Sequence, residues 1–314
     1  MEQVIVDWRN ICKISTYSIL SGAIACNFPT ELEEIAMRIA RRLYCIRAEF
    51  PNAEIILAND CAPYWRTAYI NKWYNDAGLE PVAYKGNRKT RDWPFENSQE
   101  VIDELYDTVQ AQLAEALELI TIKEQGLEAD DIWGILVKTG INDVSISEII
   151  GVTTDSDWAQ LCGDKVRIEN PVTGTTITET LDITPKLIAG DRGDNIMGCM
   201  KLKKDGTPGT MWGEAGAKKL IEKKGEDWYK GLDANVLERN YNVIALPCPE
   251  WDMDQAIEDL LEVAIPARKV TPSYKNSILD KLGVTEKIRK ELDIKEARQK
   301  WIADMREKFN AKAV

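Results

Sequence analysis

A chain of 314 residues, 44% hydrophobic and 29% charged, carries enough apolar surface for a buried core without disulfide or metal staples; this excludes a disulfide miniprotein and a disordered chain. Asp and Glu number 52 against 40 Lys and Arg, giving a net charge of −12, and histidine is absent. Without imidazole there is no Ser-His-Asp or Cys-His pair, no His-ligated zinc and no histidine base, so any catalysis falls to carboxylates, lysine, tyrosine, cysteine or a hard metal. Taken alone, the acidic balance argues against nonspecific adhesion to DNA or to anionic membranes.

In chain order, Gln3 to Asp7 is a short β-branched run ending in a carboxylate. The start, MEQVIVDW, is strand-like at once and predicts no signal peptide. Ile14 to Thr30 is free of charge but holds Ser, Thr, Asn, Gly and Pro; it falls short of a spanning helix and reads as a loop with a short packed segment. Thr30 and Glu33 form a capping box opening a helix to about Phe50, with Leu32, Ile35, Ile39 and Leu43 at helical spacing. Glu54 to Asn59 is a second apolar strand followed by Asp60, completing a βαβ unit with parallel strands. A base- and aromatic-rich stretch, Tyr64 to Trp93, precedes a long amphipathic helix over Ser98 to Ile120. Another helix begins near Glu128, Ile149 to Thr153 reads as a strand, and 165–169 with 175–179 reads as a hairpin. From Thr184 helices dominate, with a Gly-rich turn around Gly213 and charged helical segments beyond Pro272. Seven scattered cysteines without a CxxC pair predict reduced thiols and a cytoplasmic setting.

The acidic residues are not scattered evenly. Asp7 and Asp60 end strands, and in an open α/β sheet neighbouring strand ends converge on the ligand crevice. Glu128, Asp130 and Asp131 stand together in GLEADDIWG, Asp155 and Asp157 follow a strand in GVTTDSDWAQL, and Asp191 and Asp194 sit in the turn AGDRGDNIMG. Each cluster has a plain structural explanation, since acids favour first helical turns and aspartate favours turns. Jointly, nine converging carboxylates would repel one another severely unless cations lay between them. Oxygen-only donors select Mg²⁺ or Mn²⁺, and two such ions suit in-line attack on a phosphodiester without a histidine. An EF-hand fails because Ala159 and Gln160 stand where the third acidic ligand and the turn glycine belong. Neither GxxxxGK[ST] nor GxGxxG occurs.

The order VDWRN, AND, YKGNR, EADD, TTDSDWAQL, GDRGDN and a later Gly-rich helical turn resembles the 5′-nuclease or flap endonuclease superfamily, most like the bacteriophage 5′-to-3′ exonucleases with RNase H-like activity. The likeness runs from Asp7 to about Lys224. It implies an α/β, PIN-like 5′-nuclease fold, with a mainly parallel central sheet flanked by helices and a helical region bearing a helix-hairpin-helix turn. It also implies that Asp7, Asp60, Glu128, Asp130, Asp131, Asp155, Asp157, Asp191 and Asp194 line a site for two Mg²⁺ or Mn²⁺ ions. Lys85 and Arg88, at the base of an arch over the site, would contact the scissile phosphate. Arg66, Lys72, Lys89 and Arg91 would contact DNA, beside aromatic rings suited to stacking on unpaired bases. In the turn MWGEAGAKKLIEKKG, Gly213 and Gly216 would let backbone amides approach a phosphate, and Lys218 and Lys219 would add charge. The family's turn often holds K⁺, but Met211 stands here at its first glycine and Ala215 at its lysine; Trp8 likewise stands where glycine is usual.

By this resemblance, residues 1–190 form the nuclease domain with an arch over about 64–100, 191–271 a helical DNA-binding region, and 272–314 a helical tail. The implied activity is structure-specific 5′-to-3′ exonuclease or flap endonuclease cleavage of DNA, and of RNA in RNA-DNA hybrids, releasing 5′-phosphate products during replication. The implied partners are duplex ends, nicks, 5′ flaps and replication enzymes such as a polymerase, with no membrane. Two alternatives are a PIN-type ribonuclease and a catalytically silent DNA-binding homologue.

Overall fold

The computed structural model describes residues 1–20, 28–87, 98–203, 205 and 207–294. Strand β1 (Glu2–Asp7) leads directly into helix α1 (Trp8–Leu20), then α2 (Phe28–Glu49), β2 (Glu54–Ala58), α3 (Trp65–Asp76), α4 (Ser98–Ala116) and β3 (Ile120–Ile122). Helix α5 (Ala129–Gly140) precedes β4 (Glu148–Val152), a 3-10 turn at Ser156–Leu161, β5 (Val166–Glu169) and β6 (Thr176–Ile177). These six strands form one sheet in the order β3-β2-β1-β4-β5-β6, parallel except for the terminal β5–β6 pair. The parallel sheet and its βαβ start agree with the sequence reading, as does the small antiparallel hairpin.

Alternation along the strands builds two cores. Val4, Val6, Ile55, Leu57, Ile150 and Val152 face α1, α2 and α4, while Ile5, Ile56, Ala58 and Ile149 face α5. On α2 the buried Ile35, Ile39 and Leu43 recur at helical spacing, and burial of each contributes roughly 1.5–3 kcal/mol. Beyond the sheet come α6 (Thr184–Ala189), the two-residue strands β7 (Gly190–Asp191) and β8 (Ile196–Met197), the ribbon β9 (Met200–Leu202) with β10 (Pro208–Met211), and α7 (Glu214–Lys224). Helices α8 (Ala234–Ile244), α9 (Met253–Val263), α10 (Pro272–Lys281) and α11 (Glu286–Leu292) follow. Leu260 of α9 joins the α5 core, whereas Ile278, Leu279 and Leu292 of the last two helices join the α2–α4 core. The segment from Pro272 to Ile294 therefore packs on the α2–α4 helical layer. Among the described residues no helix is long and apolar enough to cross a membrane.

Three local readings are corrected. Residues 14–20, read as part of a loop, belong to helix α1, because their hydroxyls bond inward: Ser15 Oγ donates to Ile11 O at 2.9 Å and Ser18 Oγ to Ser15 O at 2.7 Å, and Thr16 Oγ1 meets Tyr106 Oη at 2.6 Å. Helix α4 stops at Ala116 and does not reach Ile120. Glu118 adopts φ 54°, and Leu119 N–H donates back to Ala114 O at 2.8 Å, a left-handed stop made without a glycine. Gly213 is entered from strand β10, so a ribbon, not a helix, immediately precedes α7; the nearest preceding helix is the short α6.

Behind the strand ends two indoles stack, Trp133 of α5 on Trp158 of the 3-10 turn, with centroids 4.7 Å apart and planes at 10°. Gly151 of β4 makes room for them, since a Cβ there would lie 2.9 Å from Trp158 Cε3 and 3.0 Å from Trp133 Cη2. Gly151→Ala is expected to cost about 1–3 kcal/mol of unfolding free energy by overpacking, measured by urea denaturation. An unchanged midpoint would show that the indole stack does not constrain this strand.

Candidate active site

The chain diverges at the ends of β1 and β4. After β1 it turns into α1 on one face, and after β4 into the 3-10 turn on the other, leaving a crevice at the carboxyl ends of the strands. A cleft of about 340 Å³ opens there, and Asp7, Asp60, Glu128, Asp130, Asp155, Asp157, Asp191 and Asp194 all line it. Eight of the nine carboxylates singled out from the sequence are thus brought together. Asp131 is not: it is fully buried behind the cleft wall.

Helix starts fix several of these groups. Asp7 caps α1, its Oδ1 accepting the Asn10 N–H at 3.0 Å. Asp60 Oδ1 accepts the Ala129 N–H, at the start of α5, at 2.9 Å. Both helix N-termini therefore point positive ends at the carboxylates. Thr153 Oγ1 donates to Asp7 Oδ2 at 2.9 Å and accepts from Asp155 N–H at 3.0 Å, tying the β1 and β4 ends together. Asn10 reinforces the tie through Thr154, in both directions. Asp130 is held from behind by Trp158, whose Nε1–H donates to its Oδ1 at 2.6 Å.

Cations compensate one half of the cleft. Arg66 is 3% exposed, donates to Glu128 Oε2 at 3.0 Å and pairs with Asp131 Oδ1 at 2.7 Å, while its Nε–H donates to Val243 O at 2.9 Å. It is a buried counter-ion, so its guanidinium faces Glu128 and Asp131 and not a DNA surface. Burial pulls Arg66 down, but Asp131, Tyr84 and Glu128 more than offset this and hold it above the ordinary arginine value. Asp131 in turn accepts the Glu128 N–H at 2.9 Å and the Trp65 Nε1–H at 3.1 Å. Lys85 pairs with Glu128 from the cleft side. Lys186 of α6 reaches Asp157 at 2.6 and 2.8 Å and Asp191 at 2.9 Å. Burial opposes the Lys186 charge, yet its bonds to these two carboxylates raise its pKa above the ordinary lysine value.

The other half has no such partner. Among the described residues Asp7, Asp60, Asp130 and Asp155 form no ion pair with Lys or Arg. Burial, then repulsion from Asp60 and Asp155, pushes the Asp7 carboxyl up to about 7. Burial, then the charges of Asp155 and Glu128, pushes Asp130 well above the carboxylate range. A mutually repelling, oxygen-only set in which Asp7 and Asp130 are desolvated fits a hard divalent cation. In this conformation no group of three or more acidic or thiol side chains among the described residues is arranged to hold a metal ion, so ligation would require the carboxylates to turn inward.

The segment Ala83–Lys85 is anchored to the same cleft. Tyr84 Oη lies 2.7 Å from Glu128 Oε2 and 3.0 Å from Asp194 Oδ2; burial, then the charges of Glu128 and Asp194 against the opposing Arg66, raises its phenol. Lys85 sits at φ 55° with its N–H donating to Asp194 O at 2.8 Å, and Asn195 Nδ2 donates to Ala83 O at 2.9 Å. Arg88, Lys89 and Arg91 lie outside the described residues. Lys72 is exposed on α3 and pairs with Asp76, away from the cleft lining. Gly213 caps α7 and Gly216 lies in its first turn; Lys218, paired with Glu214, and Lys219 are exposed on that helix. Met211, at the family's glycine position, ends β10, and its Sδ accepts the Gly198 N–H. Arg9, Lys13 and Lys186 line the cleft although the sequence reading did not select them. The i, i+4 spacing of Arg9 and Lys13 becomes visible once residues 8–20 are read as a helix.

The T5 D15 protein, crystallised with metal ions, matches 98% of this chain and 100% of its own length with a TM-score of 0.52 and 16% identity. The chain has the PIN-like 5′-nuclease fold. Two further solved structures align with lower scores. The bacteriophage T5 D15 flap endonuclease, in a pseudo-enzyme-product complex with DNA and metal ions, gives 0.49 at 16% identity over 98% of this chain and 100% of that one. The catalytic core of Rad2 in complex with DNA substrate gives 0.44 at 16% identity over 92% and 90%. No protein-family model and no curated protein matches the sequence.

The Asp7 shift sets a pH dependence. In chelator-treated protein its carboxyl titrates near 7 when folded but near the ordinary ~3.9 when unfolded, so the unfolded chain releases the proton first. Its contribution to stability is fully present below about pH 4 and is lost as pH rises to about 7. Unfolding free energy measured across that window should therefore fall less steeply in Asp7→Asn than in the parent. Identical slopes would show that Asp7 is not the titrating group.

Proposed function

We propose that this chain is a metal-dependent 5′-nuclease that hydrolyses phosphodiester bonds at DNA ends, nicks and 5′ flaps, and of RNA annealed to DNA, leaving 5′-phosphate products. One observation carries the reading: eight carboxylates meet at the strand ends of a 5′-nuclease fold, and four of them lack a cationic partner among the described residues. Asp7, Asp60, Asp130 and Asp155 would hold one Mg²⁺ or Mn²⁺. For a second ion the remaining groups are Glu128, which Arg66 and Lys85 already neutralise, and Asp157, Asp191 and Asp194, the first two of which pair with Lys186. Bound divalent ions supply an activated water and neutralise charge on the phosphate.

The chain's own residues provide the rest. Lys85, Lys186, Arg9 and Lys13 give the cleft a basic component able to bind a phosphodiester that the carboxylates would repel. Arg66 pairs with Glu128 without entering the cleft, and Trp158 fixes the direction of Asp130. Tyr84 and the Lys85 amide tie the base of the arch to Asp194, so a strand gripped by the arch is registered against the carboxylates. A role in replication, removing primers or flaps beside a polymerase, is the setting such chemistry suits.

A 5′-labelled flapped duplex tests the reading. Cleavage is expected with Mg²⁺, abolished by chelator, and reduced on the order of 100-fold or more in Asp130→Asn, with Lys72→Ala unchanged. Mononucleotide products would mark an exonuclease and whole flaps an endonuclease. Preference for single-stranded RNA, or full activity in chelator, would overturn the proposal.

A further inference from the structure

The ribbon β9–β10 is not accounted for by the cleft. It grows from the loop that carries Asp191 and Asp194, and its root is pinned: Cys199 N–H donates to Ile188 O at 2.7 Å and Trp212 N–H to Cys199 O at 3.0 Å. Gly190 and Gly198 permit this close approach, since a Cβ on either would lie 2.2 Å from backbone atoms of its neighbour. The far end is closed by Lys203 N–H to Thr207 O at 2.8 Å and by Asp205 accepting from Thr207. The ribbon is thus a short, fixed projection.

Its surface runs against the rest of the molecule in two ways. In a chain of net charge −12, residues 201–224 contain seven lysines and three acids. Met200 and Leu202, 41% and 62% exposed, stand on one side of β9, with exposed Pro208 paired to Leu202. On the other side Lys201 lies over the Trp212 ring at 4.9 Å, and Lys203 is exposed next to it. Beyond Trp212, α7 presents Lys219 and Lys223 to solvent. An apolar projection flanked by lysines matches a nucleic-acid groove, where cations meet the phosphate rails and apolar groups meet sugars and base edges. The major groove, about 12 Å wide, admits a two-stranded ribbon.

We propose that the β9–β10 ribbon is a duplex-DNA contact outside the cleft, lying in a groove with Lys203 on phosphate and Leu202 and Met200 against its walls. The inference rests on the nuclease reading above, and it adds a duplex-holding surface. With its lysine on phosphate and apolar side chains on the groove walls, the contact is independent of sequence. Fixed to the Asp191–Asp194 loop, it would set the distance between the held duplex and the cleft.

Fluorescence anisotropy over a salt series, with a labelled duplex of about 20 base pairs and a matching single strand, tests this directly. The exposed pair Leu202→Ser with Lys203→Ala should weaken duplex binding roughly 10-fold and flatten the slope of log affinity against log salt by about one. Single-strand binding should stay near the parent value, and Lys287→Ala on α11 should change neither. Thermal melts check that the variants fold. Parent-like duplex affinity in the double variant, or equal loss on duplex and single strand, would overturn the ribbon proposal. A parent that binds neither and cleaves no flapped duplex would overturn the nuclease reading and the ribbon proposal with it.

Discussion

Electrostatic repulsion among carboxylates gathered at one end of a parallel sheet is the constraint on which the rest of this structure depends. Eight such groups line one cleft, and a folded state is marginal enough that a few kilocalories of unrelieved repulsion matter. The fold relieves the charge unevenly. Two helix N-termini and the hydroxyl of Thr153 support Asp7 and Asp60, Arg66 and Lys85 neutralise Glu128, and Lys186 neutralises Asp157 and Asp191. Removing a buried partner such as Arg66 would leave Glu128 and Asp131 uncompensated, typically a loss of about 3–5 kcal/mol. Asp7, Asp60, Asp130 and Asp155 are left without a cationic partner among the described residues, burial amplifies the repulsion at Asp7 and Asp130, and a divalent cation is the group that would relieve it.

The same ion pairs transmit position. Glu128 accepts from Arg66 behind the wall and from Lys85 in front of it, and Tyr84 adds a contact shared with Asp194. Tyr84 and Lys85, the start of α5 and the Asp191–Asp194 loop are consequently one connected unit. The ribbon follows from that loop, so the cleft and the candidate duplex contact share one origin in the chain. Acidic chemistry sits at the sheet ends, and Lys and Arg concentrate in the sequence stretches 85–91 and 201–224.

Much of this was legible in the sequence because it depends on local order. Strand runs ending in Asp7 and Asp60, a capping cluster at Glu128, and TTDSDW after a strand each place a carboxylate by backbone geometry alone. What stayed hidden depends on partners distant in sequence. Asp131 looks equivalent to Asp130 in EADD, yet one turns inward to Arg66 and the other toward Trp158, a choice made by residues 65 and 28 positions away. Lys186 carries no motif and gains its role only when α6 packs near the 3-10 turn. Helix α1 was masked by serines and a threonine whose hydroxyls bond within the fold, and the end of α4 by Glu118 taking a conformation usually left to glycine. The net charge, which alone argues against a polyanionic partner, is reconciled with one by where the charges stand.

The most direct test of the account is isothermal titration of the metal-free protein with Mn²⁺, in parallel with Asp7→Asn combined with Asp155→Asn. Binding by the parent, greatly weakened in the double variant while both remain folded, is the expected result. No binding by the parent, or equal binding by both proteins, would contradict the claim that the unpaired carboxylates form a cation site.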